Sequence, residues 1–188
     1  MTDDATIFAG FGGQGILFAG TVLARAAMAE SQHVLWIPSY GPEMRGGTAS
    51  CTVIVSDAPI GSPVVDLAAA VIALNPPSLA KFEGSLAPHG LLVLNASLIE
   101  AEPSRRDIEV LPVRCTALAK AAGDDRLVSM VALGALLARR RLVDITSARA
   151  ALKAVVEAKR PEILAADLAA LEAGYRAATE LPTAPVGV

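Results

Sequence analysis

The residues with the clearest chemical potential are the glycines Gly10, Gly12 and Gly15, spaced G-x-G-x-x-G within Gly10-Phe11-Gly12-Gly13-Gln14-Gly15. That spacing lets a strand turn sharply into a helix whose first backbone N–H groups stay free to hold an anion. A second cluster, Ser39-Tyr40-Gly41-Pro42-Glu43-Met44-Arg45-Gly46-Gly47, sets both signs of charge among glycines and offers few side chains to a core. Arg45 either pairs with Glu43 and stiffens its own turn, or reaches outward to a phosphate or a partner's carboxylate, which its planar fork of donors suits. The two clusters are expected to lie together and form one surface.

Other chemistry-bearing residues are sparse. His33 opens a strand and His89 occupies a turn, and no Ser, His and Asp set follows from the spacing. Asp124-Asp125 reads as a helix N-terminal signal and, without further oxygen ligands nearby, makes a poor magnesium site. Cys51 and Cys115 lack the C-x-x-C spacing of zinc or redox sites and are too few for an iron–sulfur cluster, so they read as structural thiols. Covalent chemistry by this chain alone is not expected.

The elements that must position the clusters follow from apolar patterning. Ala5 to Ala9 reads as a buried parallel strand and Gln14 to Glu30 as a helix whose apolar positions include Leu17, Val22, Ala27 and Met28. His33 to Ile37 is β-prone and Pro38 is expected to stop it. A dinucleotide-binding unit would end this strand on Asp or Glu to hold a ribose hydroxyl. Here the strand runs into Pro38-Ser39-Tyr40, which counts against a nicotinamide or flavin cofactor. Thr48 to Ser56, the turn Ser56-Asp57-Ala58-Pro59 and a return from Ile60 suggest a hairpin, so the sheet is expected to be mixed. Ala69 to Leu74, Leu91 to Leu94 and Ile108 to Val113 complete it, with a short helix from Pro77 to Phe82 and another from Thr116 to Ala122, ended by Gly123. Helices follow over Val128 to Arg141, Ser147 to Lys159 and Pro161 to Thr179, the second capped by Thr146 or Ser147.

The chain has 188 residues, 53% hydrophobic but 4% aromatic, with net charge −3. A core of Ala, Val, Leu and Ile favours layered packing. The expected fold is a single three-layer, Rossmann-like α/β domain over residues 1–188. It has a mostly parallel, mixed sheet, a helical C-terminal segment and a tail from 181 to 188 that is flexible or laid on a partner. Arg139-Arg140-Arg141 reads as a helix-end dipole partner and solvated face, so nucleic acid is not an expected partner. Met1-Thr2-Asp3-Asp4 lacks a basic leader region and no apolar run reaches ~18 residues, so no membrane contact and a cytoplasmic location are expected.

The stretch Gly10 to Leu17, the stretch Pro38 to Gly47, and Ser56-Asp57 with Ile60-Gly61-Ser62-Pro63 together resemble the gamma subunit of 2-oxoacid:ferredoxin oxidoreductases of the pyruvate, 2-oxoglutarate or 2-oxoisovalerate type. The likeness covers nearly the whole chain. It implies one part of a multi-subunit enzyme that decarboxylates a 2-oxoacid on thiamine diphosphate with Mg2+, sends electrons through iron–sulfur clusters to ferredoxin, and releases an acyl-coenzyme A. In that family these groups sit on other subunits, so this chain binds no cofactor alone and is inactive alone. Its partners are alpha, beta and delta subunits, with ferredoxin as acceptor. By the same resemblance, Gly12, Gly13, Gln14 and Gly15 face the active-site channel. Tyr40, Gly41, Pro42, Glu43, Met44, Arg45, Gly46 and Gly47 form the adjoining lip, touching coenzyme A or a partner subunit, and no catalytic or metal-binding residue is carried over. The competing reading is a stand-alone nucleotide- or phosphate-binding module that uses the glycine loop.

Overall fold

The computed structural model describes residues 3–40, 48–157 and 161–181. Its centre is strand β1 (Asp4–Phe11), followed by α1 (Ile16–Ala29), β2 (His33–Tyr40) and β3 (Thr48–Ser56). Then come β4 (Ala68–Ala73), α2 (Pro76–Phe82), β5 (Leu86–Asn95), β6 (Glu109–Val113) and α3 (Cys115–Ala121), and last the helices α4 (Val128–Arg139), α5 (Ile145–Glu157) and α6 (Leu164–Glu180). The sheet order is β2-β3-β1-β4-β5-β6. Strands β1, β4, β5 and β6 are mutually parallel, while β3 runs antiparallel to both β1 and β2. The α/β class and the mostly parallel, mixed sheet are as expected.

The mixing arises differently from the sequence expectation. β3 does not turn back at Ile60; it wedges between β1 and β2, pairing Asp4 to Phe11 on one side and His33 to Tyr40 on the other. Residues 57–67 hold no strand. Pro38 does not stop β2, because β2 is the sheet edge, where a missing N–H is tolerated. β5 likewise begins at Leu86 and passes through Pro88-His89-Gly90. It does so with a register shift against β4 between Ala68 and Ala70 and a positive φ of 61° at His89.

The helices load the two faces unequally. α1, α3, α4, α5 and α6 bury one face around Phe8, Val53, Ile72 and Val93. The other face, around Ile7, Ile54, Val71 and Leu92, is covered by α2 with Ile60, Val65 and Ile99. Met28, expected inward, is 64% exposed on α1. The first two arginines of Arg139-Arg140-Arg141 are not a solvated face: Arg140 pairs with Asp4 at 2.5 Å, and Arg139 donates to the Leu181 carbonyl at 2.5 Å. α3 ends as expected at Gly123, whose φ is 118° and whose N–H bonds back to Lys120, with Asp124 N–H on Ala119, closing a Schellman motif. α5 begins at Ile145 and is capped by Asp144, which accepts the Thr146 N–H at 2.7 Å, rather than by Thr146 or Ser147.

α4 is buried nearly all round, as its run of apolar residues dictates. It crosses α6 at two glycines. A Cβ on Gly134 would stand 2.0 Å from the Leu171 carbonyl oxygen, and one on Gly174 would stand 1.8 Å from that of Val131. Backbone cannot yield as a side chain can. Gly174→Ala is therefore expected to destabilise the chain by about 3 kcal/mol, the upper range for overpacking, measured by urea unfolding. A loss below about 1 kcal/mol would mean that α6 slides away freely.

Candidate functional site

The site gathers at the carboxyl ends of β1, β4 and β5, where open parallel sheets bind ligands. Phe11 to Gln14 form a tight turn closed by Gln14 N–H on the Phe11 carbonyl at 3.2 Å, with Gly13 at φ 95° in the third position, a conformation that favours glycine. Gly15 follows at φ 75° as the N-cap of α1, without a side-chain cap. The expected strand–turn–helix loop is present. The helix it opens has its positive dipole end and first N–H groups directed past this turn.

Each glycine has its own reason. A Cβ on Gly10 would meet Gln14 Oε1 at 2.6 Å and Ile16 Cδ1 at 2.8 Å, and one on Gly15 would meet Ser129 Oγ of α4 at 2.5 Å. Gly12 differs: it is exposed, and among the described residues nothing lies within 4 Å of its would-be Cβ. Neither its own conformation nor packing against the described residues requires a glycine there, and a bare backbone at an exposed turn permits close approach.

Gln14 is a clasp. Its Oε1 accepts the Phe11 N–H at 2.7 Å and the Asn75 side-chain amide at 3.3 Å. Asn75, fully buried at the end of β4, also caps α2 by accepting the Ser78 N–H at 2.9 Å. One strand further, the buried Asn95 donates to the Leu74 carbonyl at 3.1 Å and to Thr116 Oγ1 at 3.0 Å, anchoring the start of α3. Asn75 and Asn95 were legible only as strand-ending residues. Their signal was position, an amide directly after each apolar run.

The second cluster splits across the described boundary. β2 ends at Tyr40, and β3 begins at Thr48 in register with Phe11, so Gly10, Ala49 and Tyr40 align across three neighbouring strands. The strand spacing puts the Tyr40 backbone roughly 10 Å from the glycine turn, on the same edge. Gly41, Pro42, Glu43, Met44, Arg45, Gly46 and Gly47 lie outside the described residues.

Beside the turn opens a cavity of about 470 Å³, walled by Phe18, Leu127, Val155 and Ile163 and bordered by Gly13 and Gly15. Asp167 of α6 lines it, 2% exposed, and its Oδ2 has no hydrogen-bond partner among the described residues. Burial, and secondarily the charge of Asp124, pushes its carboxyl up to about 6. Across the cavity, Arg126 grips Asp124 through Nε and Nη2 at 3.0 and 2.5 Å, and these bonds hold the Asp124 carboxyl down at about 2. Asp167 carried no sequence signal, since it is one acidic residue in an alanine-rich helix. Both cysteines are buried and free, and burial pushes their thiols up to about 12, which suppresses thiolate chemistry. Among the described residues, no cluster of His, Cys, Asp and Glu is placed to hold a metal. Nor is any helix there long and apolar enough to cross a membrane.

With this geometry in place, comparisons give a consistent outcome. A family model described as pyruvate ferredoxin/flavodoxin oxidoreductase matches residues 5–177. The chain is 39% identical over 173 residues to the ketoisovalerate oxidoreductase subunit VorA of Methanothermobacter thermautotrophicus, covering 92% of this chain and 36% of that protein. It thus spans about a third of that relative's length. It is 31% identical to the 2-oxoglutarate synthase subunit KorC of Methanocaldococcus jannaschii, covering 92% of each. Its fold matches the gamma subunit of a keto/oxoacid ferredoxin oxidoreductase from Geobacter sulfurreducens, with TM-score 0.83, 28% identity, and coverage of 95% of this chain and 97% of that one. It also matches a 2-oxoglutarate:ferredoxin oxidoreductase from Magnetococcus marinus with 2-oxoglutarate, coenzyme A and succinyl-CoA bound. There the TM-score is 0.88 at 25% identity, over 98% of this chain and 32% of that one.

Gln14→Ala strips the Phe11 N–H and the Asn75 amide of their acceptor and is expected to cost about 1–2 kcal/mol. Gly10→Ala displaces the same amide, so the double variant should cost clearly less than the two singles added; strict additivity in urea unfolding would refute the clasp. For Asp167, the native state binds more protons than the unfolded chain between pH 3.8 and about 6, so stability falls as pH rises through that window and the penalty is complete above it. Asp167→Asn is expected to stabilise by about 1–3 kcal/mol at pH 8 and hardly at all below pH 4. An equal effect at both pH values would contradict the burial penalty.

Proposed function

The chain belongs to the pyruvate ferredoxin/flavodoxin oxidoreductase family, and from that premise we propose that it serves as the gamma-type part of a 2-oxoacid:ferredoxin oxidoreductase. In this reading it frames the entrance through which coenzyme A and the 2-oxoacid reach an active centre on neighbouring subunits. The observation that carries it is Gly12: an exposed glycine that no described residue requires to be one, in a turn opening the N-terminus of α1, which has no side-chain cap. Backbone N–H groups in that position suit a phosphate or carboxylate brought close to the chain.

What this chain contributes is binding and orientation. Thiamine diphosphate with its Mg2+ supplies the carbanion chemistry of 2-oxoacid cleavage, and that cofactor, like the iron–sulfur clusters, belongs to the other subunits. That division agrees with the cysteine count, since two cysteines are too few for a four-cysteine cluster. Alpha, beta and delta subunits are the partners, and ferredoxin takes the electrons. The lip from Tyr40 to Gly47 works with the Gly12 to Gly15 turn, a reading supported by Tyr40 and Thr48, which are placed at the edge where the turn lies. Arg45 supplies the cationic fork of the lip, toward a coenzyme A phosphate or a partner subunit.

Gly12→Ala and Arg45→Ala test this in the reconstituted complex. Gly12→Ala is expected to leave the chain's stability within about 0.5 kcal/mol while raising KM for coenzyme A severalfold. Arg45→Ala should raise that KM about tenfold or weaken subunit assembly, consistent with the loss of one charged hydrogen-bonded contact. Unchanged KM and unchanged assembly in both variants would sink the proposal.

A further inference from the structure

The cavity beside the glycine turn contains a buried carboxyl, that of Asp167, whose Oδ2 has no hydrogen-bond partner among the described residues. Native proteins rarely leave such a group unpaired without a use for it. Its walls, Phe18, Leu127, Val155 and Ile163, are apolar and suit the faces of a flat ring, and its volume lies in the range of small-ligand sites. Among the described residues, the charged side chains of the lining are Asp167, Asp124, Glu162 and Arg126, the last already engaged with Asp124. The buried Asp167 carboxyl disfavours a phosphate beside it, like charge against like. Anionic groups of a ligand must therefore stay outside it, where the N-terminus of α1 and the N–H groups of the turn favour negative charge.

We propose that this cavity holds the adenine base of a nucleotide, with Asp167 pairing the amino edge of the base and the phosphates lying outside at the Gly12 to Gly15 turn. Adenine presents an N–H donor at its 6-amino group beside a ring-nitrogen acceptor. A protonated carboxyl matches that edge with two hydrogen bonds, and an ionised one accepts from the amino group. The raised carboxyl of Asp167 keeps both forms within reach near neutral pH. Two sources present this base, free adenine nucleotide and coenzyme A; for coenzyme A the assignment rests on the function proposed above.

Calorimetry on the full 188-residue chain separates the outcomes, with ADP, purine riboside diphosphate (which lacks the 6-amino group), GDP and 2-phenylethylamine as probes. ADP should bind about tenfold or more tightly than the deamino analogue, the usual consequence of leaving a buried polar group unpaired. Asp167→Ala should erase that difference. Ala166→Trp, which fills the cavity from a half-buried position on α6, should abolish ADP binding while circular dichroism and urea unfolding show an intact fold. Equal binding of ADP and the deamino analogue, preference for GDP or for the amine, or ADP binding untouched by both variants would each overturn the assignment. The assembled complex then distinguishes the two proposals. If coenzyme A still binds it with unchanged affinity in both variants while ADP binding to the chain is lost, the cavity belongs to free nucleotide and the entrance role stands. If the complex shows no coenzyme A binding while ADP discrimination persists, the entrance role fails and the cavity belongs to free nucleotide.

Discussion

The carboxyl edge of this sheet depends on a missing side chain. Because Gly10 has no Cβ, the Gln14 amide can fold back over the end of β1, and a methyl group there would stand only 2.6 Å from its oxygen. From that one contact the rest follows by hydrogen bonds. Gln14 fixes the turn through Phe11, reaches Asn75 across to β4, and through Asn75 holds the start of α2. A turn with an exposed backbone is normally soft. Here Gln14 binds the Phe11 N–H at the start of the turn and the buried Asn75 beyond it, so the outward N–H groups are presented without a large ordering cost on binding.

Much of this was legible in the sequence. The glycine spacing identified the strand–turn–helix, the short apolar runs gave the buried parallel strands, and Gly123 marked a helix end that the structure closes as a Schellman motif. The place of β3 could not be read, because Thr48 to Ser56 alternates in the same way whether it turns back on itself or pairs with β1 and β2. Strand order is a property of distant contacts. Pro38 misled for a related reason: a proline forbids a central strand but not an edge strand, and which strand is the edge is again non-local. The Pro88-His89-Gly90 turn vanished into β5 because a bulge absorbs the irregularity.

The site divides in the same way. Its glycines announce themselves because backbone conformation is a local requirement. Asn75, Asn95 and Asp167 do not, since a buried amide and a surface amide are written with the same letter. Arg139 and Arg140 show the opposite error: adjacent charges at a helix end read as a solvated face, yet packing draws them to Leu181 and Asp4.

Those two arginines have a consequence for gene architecture. They are neighbours on one helix end, and one holds the first residue of β1 while the other holds the backbone just after α6. Entry to and exit from the domain therefore lie within the span of two adjacent side chains. A unit whose ends meet can be spliced into a longer polypeptide, or separated from one, with little disturbance to its interior. The same domain can thus occur as nearly the full length of one relative and about a third of another.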